Sequence, residues 1–297
     1  TNYGCVNEIT KLVTLKPAPV AFFEIEPLSP QCMTPQSIHF VDKTVPTTAT
    51  GAVTSWAWTF GDGGTSTLQN PSHVYQLAGP YTVSLTVTTT NGCFNTYGTS
   101  VTVNELPVAD FHVATASNTC EQGPIQFIDD SQANAAAINS YLWSFGDGGT
   151  SIQPSPQHTY STYGIYQVTL NVTNSNGCIH SVTKPVTVNP KPIAEFTYTA
   201  SSCLGSPVSF INKSFPISGF TGYINQGEWD FGDGTLPITI NYPDSPDITH
   251  TFAGNVTSHT VRLTVTTTNG CTAYKEHVVN SIPAPVSNFS YSNTLCI

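Results

Sequence analysis

Trp58-Thr59-Phe60-Gly61-Asp62-Gly63 recurs as Trp143-Ser144-Phe145-Gly146-Asp147-Gly148 and again as Trp229-Asp230-Phe231-Gly232-Asp233-Gly234. Successive copies lie 85 and 86 residues apart. A period that long, with strand-like segments between the markers, specifies whole small domains in tandem rather than a solenoid of sub-domain repeats. A chain of 297 residues accommodates about two or three domains, and the repeat selects three. Function then has to come from what a string of near-identical modules can do, and a single catalytic cleft is not the first expectation.

The same order of features surrounds each marker. An extended opening (Val20 to Phe23, Val108 to Phe111, Ile193 to Phe196 and Val286 to Phe289) precedes a turn holding a Cys: Cys32, Cys120, Cys203 and Cys296. An alternating strand such as Ser37-Ile38-His39-Phe40 follows, then the Trp strand with its Gly-Asp-Gly turn, then a His-x-aromatic segment at His73, His158 and His250. Tyr81 to Val87, matched by Tyr166 to Val172 and Thr260 to Val265, alternates apolar with Thr or Ser, the pattern of a half-buried strand. Each run ends in Asn-Gly-Cys at Cys93, Cys178 and Cys271, and Asn-Gly is the strongest tight-hairpin signal. A last strand, such as Thr99 to Val103, leads into a junction bearing Pro107, Pro190 with Pro192, or Pro283 with Pro285.

Seven or so short strands per copy with no helical period describe an all-β chain of antiparallel β-sandwiches. Trp58, Trp143 and Trp229 fall on the inward phase of their strands and are predicted to fill the core. Short junctions containing Pro should hold neighbours nearly end to end. The expected boundaries are 1–17 for the tail strand of a preceding copy, 18–107, 108–192 and 193–285 for three full copies, and 286–297 for the first strand of a following one. The sequence thus reads as a window on a longer array.

Composition narrows the function classes. Charged residues are 9% of the chain against a usual figure of about a quarter, while Thr, Val, Ser, Asn, Gly and Pro supply strand-and-turn chemistry. Eight Lys and Arg against eighteen Asp and Glu, a net charge of −10, leave no electrostatic footprint for nucleic acid. No apolar run approaches the length that crosses or inserts into a bilayer. No Gly-x-Ser-x-Gly, His-Glu-x-x-His or phosphate-cradling loop occurs, and no pair of acids is marked for glycoside chemistry. The recurrent His73, His158 and His250 lack a partner nucleophile motif, so a packed or hydrogen-bonded His at a strand end is favoured over a catalytic base.

The Trp-x-Phe-Gly-Asp-Gly marker, the His-x-Tyr segment and the Tyr-x-Val-x-Leu-x-Val strand ending in Asn-Gly together resemble the PKD (polycystic kidney disease-type) family of immunoglobulin-like modules. The resemblance covers three copies and nearly the whole chain. With a Cys in the first turn and in Asn-Gly-Cys, the chain is similar to PKD arrays on cell-surface and gliding-associated adhesins of Bacteroidota. The third copy departs from the pattern: Leu236 to Ser258 is longer, and no Gly-Tyr precedes its alternating strand.

Asp62, Asp147 and Asp233 have two readings, as metal ligands or as caps of their own Gly-flanked turns. The turn reading is favoured, because one repeating Asp falls short of the six or more oxygens that calcium wants. A second cluster, Asp42, Asp129 with Asp130, and Asn212, follows the second strand, where relatives of this family bind calcium near a domain junction; calcium is the one cofactor the resemblance raises. Tyr141, Tyr223 and Tyr242 are suited to stacking on a surface glycan, although Tyr is also ordinary strand material.

The eight Cys imply an oxidising compartment, extracellular, cell-surface or secreted. In an immunoglobulin-like sandwich the first turn lies at the pole where the chain leaves, and the Asn-Gly-Cys hairpin at the opposite pole. A strand of seven or eight residues separates those poles by about 25 Å, whereas a disulfide needs Cα atoms within ~7 Å. The expected bonds therefore join neighbours, Cys32 with Cys178 and Cys120 with Cys271, while Cys5, Cys93, Cys203 and Cys296 pair outside the window. The resulting expectation is a non-enzymatic stalk or filament shaft of a bacterial surface protein. Its partners would be adjacent copies, other filament chains, and a glycan or protein ligand. The alternative is a set of substrate-orienting accessory domains on a secreted hydrolase, a chitinase, collagenase or protease.

Overall fold

β-Branched and aromatic residues alternating with Thr and Ser become strands because such side chains pack well on a pleated, half-buried surface. The computed structural model describes residues 9–26, 31–33, 37–114, 119–199, 203–219, 222–242 and 247–283. Among these, no helix is long and apolar enough to cross a membrane. The first copy contributes β1 (Phe23–Glu26), β2 (Ile38–Asp42), β3 (Val53–Thr59), β4 (Thr65–Ser66), β5 (Ser72–His73), β6 (Gly79–Thr89) and β7 (Phe94–Val103). The second contributes β8 (Phe111–Val113), β9 (Pro124–Asp129), β10 (Ile138–Ser144), β11 (Thr150–Ser151), β12 (Gln157–Thr159), β13 (Gly164–Asn174) and β14 (Ile179–Val188). The third contributes β15 (Phe196–Tyr198), β16 (Pro207–Asn212), β17 (Ile224–Asp230), β18 (Ile238–Asn241), β19 (Ile248–Thr251), β20 (Ser258–Thr267) and β21 (Thr272–Asn280).

Each copy is a sandwich of two antiparallel sheets. In the first, the order β1-β2-β5 packs on β4-β3-β6-β7, and the second and third copies repeat both orders. The β6–β7 ladder runs from Gly79↔Val103 to Thr88↔Phe94. It turns Val83, Leu85 and Val87 inward, where all three are fully buried. The last strand therefore starts directly after the Asn-Gly-Cys turn, earlier than the Thr99-to-Val103 pattern alone indicates.

Trp58, Trp143 and Trp229 are 1%, 0% and 1% exposed. Each sits one residue before the end of its strand, and Trp58 is surrounded by Phe23, Phe40 and Phe60. The indole N–H of Trp58 donates to Leu68 O and that of Trp143 to Gln153 O, both at 2.9 Å, so neither of these indole nitrogens is stranded in the core. The first glycine of the marker is fixed twice over. Gly61 has φ +86°, and a Cβ there would fall 2.7 Å from Thr82 O; at Gly232 the corresponding distance, to Thr260 O, is 2.3 Å. A turn that brings backbone against the neighbouring strand at positive φ admits only glycine.

Contacts group the chain into two compact units: Thr1–Asp110 with Asp130–Leu142 and Leu170–Val182, and Phe111–Asp129 with Trp143–Thr169 and Thr183–Ile297. The middle copy is thus divided across its strands, and each unit contains one junction between copies.

The third copy explains its own irregularities. His259 occupies the place of Tyr81 and Tyr166: it stacks on Phe252 at 4.4 Å as Tyr81 stacks on Tyr75 at 4.2 Å. Its Nε2 is 3.1 Å from Val256 O, where Tyr81 Oη donates to Leu77 O. Tyr242, on the longer insertion, is not the exposed platform its sequence context implies. It packs on the third core over Gly227, and Asn212 Nδ2 donates to its hydroxyl. In the first copy Trp56 fills that position and donates from Nε1 to Asp42 Oδ2 at 2.7 Å. The insertion thus supplies from a loop the aromatic group that Gly227 removes from the strand.

Candidate functional site: the stapled junctions

The marker turn and the His-x-aromatic segment meet in one cluster. His73 Nε2 lies 2.6 Å from Asp62 Oδ2, and the same pair forms at His158–Asp147 (2.8 Å) and His250–Asp233 (2.7 Å). Each imidazole stacks on the marker Phe, with centroids 4.1, 4.0 and 3.8 Å apart and planes within 5°. The other carboxylate oxygen accepts from the turn, Gly64 N for Asp62 and Gly149 N for Asp147 at 2.9 Å each. In the third copy Thr235 replaces this glycine, and both its N and Oγ1 donate to Asp233 Oδ1.

Partial burial pushes the Asp62 and Asp147 carboxyls up, but the His bond and the turn N–H outweigh it and hold both below the usual value. Asp233 is held lowest, at about 2, because burial is opposed by Thr235 as well as His250. The cluster pins a turn to the core. Its His and Asp bond each other, and the turn supplies the remaining donors to the Asp, backbone N–H in the first two copies and both N and Oγ1 of Thr235 in the third.

The calcium candidates are engaged by their own chain. Asp42 accepts from Trp56 Nε1 at Oδ2 and from Thr44 N at Oδ1, with Gln69 Nε2 3.4 Å from Oδ2. Asn212 accepts from Ser214 N at Oδ1 and donates to Tyr242. Asp129 and Asp130 close the equivalent strand, where the Asp129 N–H donates to Ser155 Oγ and the Asp130 N–H to Asp110 O. Among the described residues no group of three or more His, Cys, Asp or Glu is arranged to hold a metal ion.

The junctions are where copies interact chemically. Cys32 bonds Cys178 with Cα atoms 5.7 Å apart, and Cys120 bonds Cys271 at 5.6 Å. Each bond joins the first turn of one copy to the Asn-Gly-Cys hairpin of the next. Cys93 and Cys203 are free, and Cys5 and Cys296 lie outside the described residues. Around the first bond, Cys32 forms a parallel bridge with Asn104, Asn104 Nδ2 donates to Gln31 O, and Asn176 Nδ2 donates to Asn104 Oδ1 at 3.0 Å.

The second junction repeats this relay. Cys120 bridges Asn189, Asn189 Nδ2 donates to Thr119 Oγ1, and Asn269 Nδ2 donates to Asn189 Oδ1 at 3.0 Å. The hairpin Asn of one copy is thus read by the linker Asn of the copy before. At the start of the first copy Lys16 takes the linker role, donating from Nζ to Asn91 Oδ1 at 2.9 Å. After the third copy the position is Ile282, bridged to Cys203.

A family model for the PKD domain matches residues 24–103, 104–190 and 189–281. The chain belongs to the PKD domain family. Pre-pro-metalloprotease PrtV of Vibrio cholerae serotype O1 is 27% identical over 185 residues, 61% of this chain and 18% of that protein. Collagenase ColA of Bacillus cereus is 51% identical over 57 residues, 19% of this chain and 6% of that protein. The crystal structure of the PKD1 domain from the Vibrio cholerae metalloprotease PrtV is 31% identical, covering 28% of this chain and 96% of that one with a TM-score of 0.25. The chain spans less than a fifth of the length of these curated relatives.

Two features of these PKD modules escape a reading of the sequence alone. The Asp–His pairs bridge 11, 11 and 17 residues; their joint recurrence was the available signal. Asn104 and Asn189 look like ordinary linker residues, and only their equivalent placement before each junction proline marks them.

Proposed function

We propose that this array of PKD modules is the shaft of an extracellular bacterial surface protein, a non-enzymatic spacer that projects other parts of its parent chain. The observation that carries the reading is the pair of bonds between neighbours, Cys32–Cys178 and Cys120–Cys271, each reinforced by an Asn relay. Bonds within a module would stabilise the module and leave the hinge free; bonds between modules restrain the hinge. Disulfides of this kind persist outside the reducing cytosol. Cys93 and Cys203 are the half-cystines for a preceding and a following copy.

Small-angle scattering tests the shaft. Three sandwiches of about 35–40 Å each, end to end, give a particle over ~100 Å long. A maximum dimension near that of a compact globule of the same mass would reject it.

A second reading is supported by the names of the relatives, a metalloprotease and a collagenase: accessory modules that orient polymer for a catalytic domain elsewhere in the parent chain. A groove of about 390 Å³ lined by Lys191, Thr264, Thr272, Ala273 and Tyr274, with Tyr274 62% exposed, offers a surface for a glycan or protein partner under either reading. The parent gene separates them, since a catalytic domain favours the second and many further copies favour the shaft.

A further inference from the structure

β7 is the free edge of the four-stranded sheet in the first copy, as β14 and β21 are in the second and third. An edge strand of 10 residues is a template for another strand unless something blunts it, and Pro, charge and inward-pointing Lys are the usual means. The second copy has both Pro185 and the inward Lys184 on its edge. The third has the inward Lys275 and the outward Glu276, which Arg262 Nε meets at 2.8 Å. The corresponding places in the first copy hold Ser100 and Thr99, then Tyr97 and Gly98. β3, β4, β6 and β7 together contain no Asp, Glu, Lys or Arg, so this edge alone is left without a guard.

The ladder fixes which backbone groups are free. Thr89 N donates to Cys93 O across the hairpin, and the register runs on from Thr88↔Phe94. In an antiparallel pair, bonded and non-bonded positions alternate. Asn95, Tyr97, Thr99, Val101 and Val103 therefore bond β6, while Phe94, Thr96, Gly98, Ser100 and Thr102 turn N–H and C=O to the free side. Pro80 stands opposite Thr102, a non-bonded position where its missing N–H is not needed. The side chains of the free row are exposed. Among the described residues no backbone bond reaches that row from outside the sheet, and Thr96 N has a local acceptor in Asn95 Oδ1 at 2.7 Å. The entry segment meets β7 from the inner side, where Asn95 Nδ2 donates to Pro19 O and Tyr97 packs on Phe22.

We infer that β7 is an interface whose occupant is the β7 of a second copy of this chain, antiparallel about a two-fold axis at Gly98. In that register every member of the free row finds a partner: Gly98 faces Gly98, Thr96 faces Ser100 and Phe94 faces Thr102, each pair exchanging both backbone bonds. The Thr–Ser pair is suited to cross-strand hydrogen bonding. Phe94, 69% exposed, comes to lie beside Thr102 and, one strand further in, Pro80. At the axis no side chain holds the strands apart, which gives a use to a glycine that otherwise weakens a strand interior. A chain of net charge −10 meets itself here across an uncharged sheet. An unrelated peptide would make the backbone bonds without this symmetric match of side chains.

The test is sedimentation equilibrium of the 297-residue protein in a Cys5→Ser/Cys93→Ser/Cys203→Ser/Cys296→Ser background, where no free thiol links molecules. A reversible dimer should build up over roughly 10 μM to 1 mM. Ser100→Pro removes one edge N–H from each strand and should weaken the dimer about thirtyfold. Pro185 occupies the equivalent place in the second copy, so the sandwich has room for it. Gly98→Glu sets like charges against each other at the axis and should abolish the dimer; a Cβ there meets nothing closer than Val83 O at 3.5 Å. A chain that stays monomeric throughout overturns the inference, as does a dimer whose affinity survives both substitutions.

The register is read separately in the same background. Gly98→Cys alone should oxidise to a covalent dimer, because facing Cα atoms of a bonded pair lie about 5.5 Å apart, within disulfide reach. Thr96→Cys alone should not, because its own counterpart lies about 13 Å along the partner strand. The reverse pattern overturns the axis at Gly98. Under the shaft reading this contact ties one filament to another, but the pairing needs only the first sandwich. A compact particle in dilute scattering would remove the shaft and leave the dimer.

Discussion

Asn269 donates to Asn189 across the second junction, Nδ2 to Oδ1 at 3.0 Å, and Asn189 passes the relay on to Thr119 Oγ1 at 2.9 Å. Asn189 is half-buried, so water replaces its carboxamide only in part. Asn189→Ala should destabilise the protein by about 1–2 kcal/mol, seen as a lower denaturant midpoint at unchanged slope. An unchanged midpoint would mean that the disulfide alone holds the junction and the relay is incidental.

Trp143 is fully buried and packs against Phe111, Phe127 and Phe145. Trp143→Ala should cost about 3–5 kcal/mol and melt the middle module in a separate, earlier transition. Calorimetry resolves this, and a loss under about half a kcal/mol would contradict the packing.

Acid should weaken the third module through Asp233. Its carboxyl falls from an ordinary value of 3.8 to about 2 on folding, so its contribution is complete above pH ~4 and disappears as pH drops through about 2. Stability measured from pH 5 to pH 2 should fall more steeply in the wild type than in Asp233→Asn. Parallel curves would show that the pair with His250 does not distinguish the folded from the unfolded chain.

Calcium should leave the melting temperature where it is. A ligand at a hundred times its Kd adds about 2.7 kcal/mol, which a thermal scan detects easily. The oxygens of Asp42 already accept from Trp56 and Thr44. A rise of several degrees in millimolar calcium, reversed by chelator, would mean that these donors yield to the ion.

The fold was legible because its signals are local. The alternation through Tyr81 to Val87 sets which residues face inward, and Asn-Gly fixes the hairpin after it. The marker turn repeats without change because Gly61 and its equivalents have no room for a Cβ. What escaped is contact between segments that no periodicity connects. His73 and Asp62 each have a satisfactory local explanation, as a strand-end His and a turn Asp, and only their joint recurrence in three copies points to the pair. Tyr242 reads as exposed until Gly227 opposite it is seen to leave a gap. His259 standing for Tyr81 is invisible to an alignment by residue type, since only ring shape and a donor atom are kept.

Cys120 and Cys178 belong to one module and are bonded to different neighbours. Expressed by itself, that module is a bifunctional monomer, and oxidation can satisfy it only by linking one molecule to another in step-growth fashion. During synthesis the same connectivity imposes a schedule. Cys32 cannot find its partner until Cys178 has emerged, and Cys93 appears first with a thiol it must not accept. Correct oxidation thus requires that the first sandwich close around its hairpin before its sulfurs react, which makes folding the proofreader of the covalent chain.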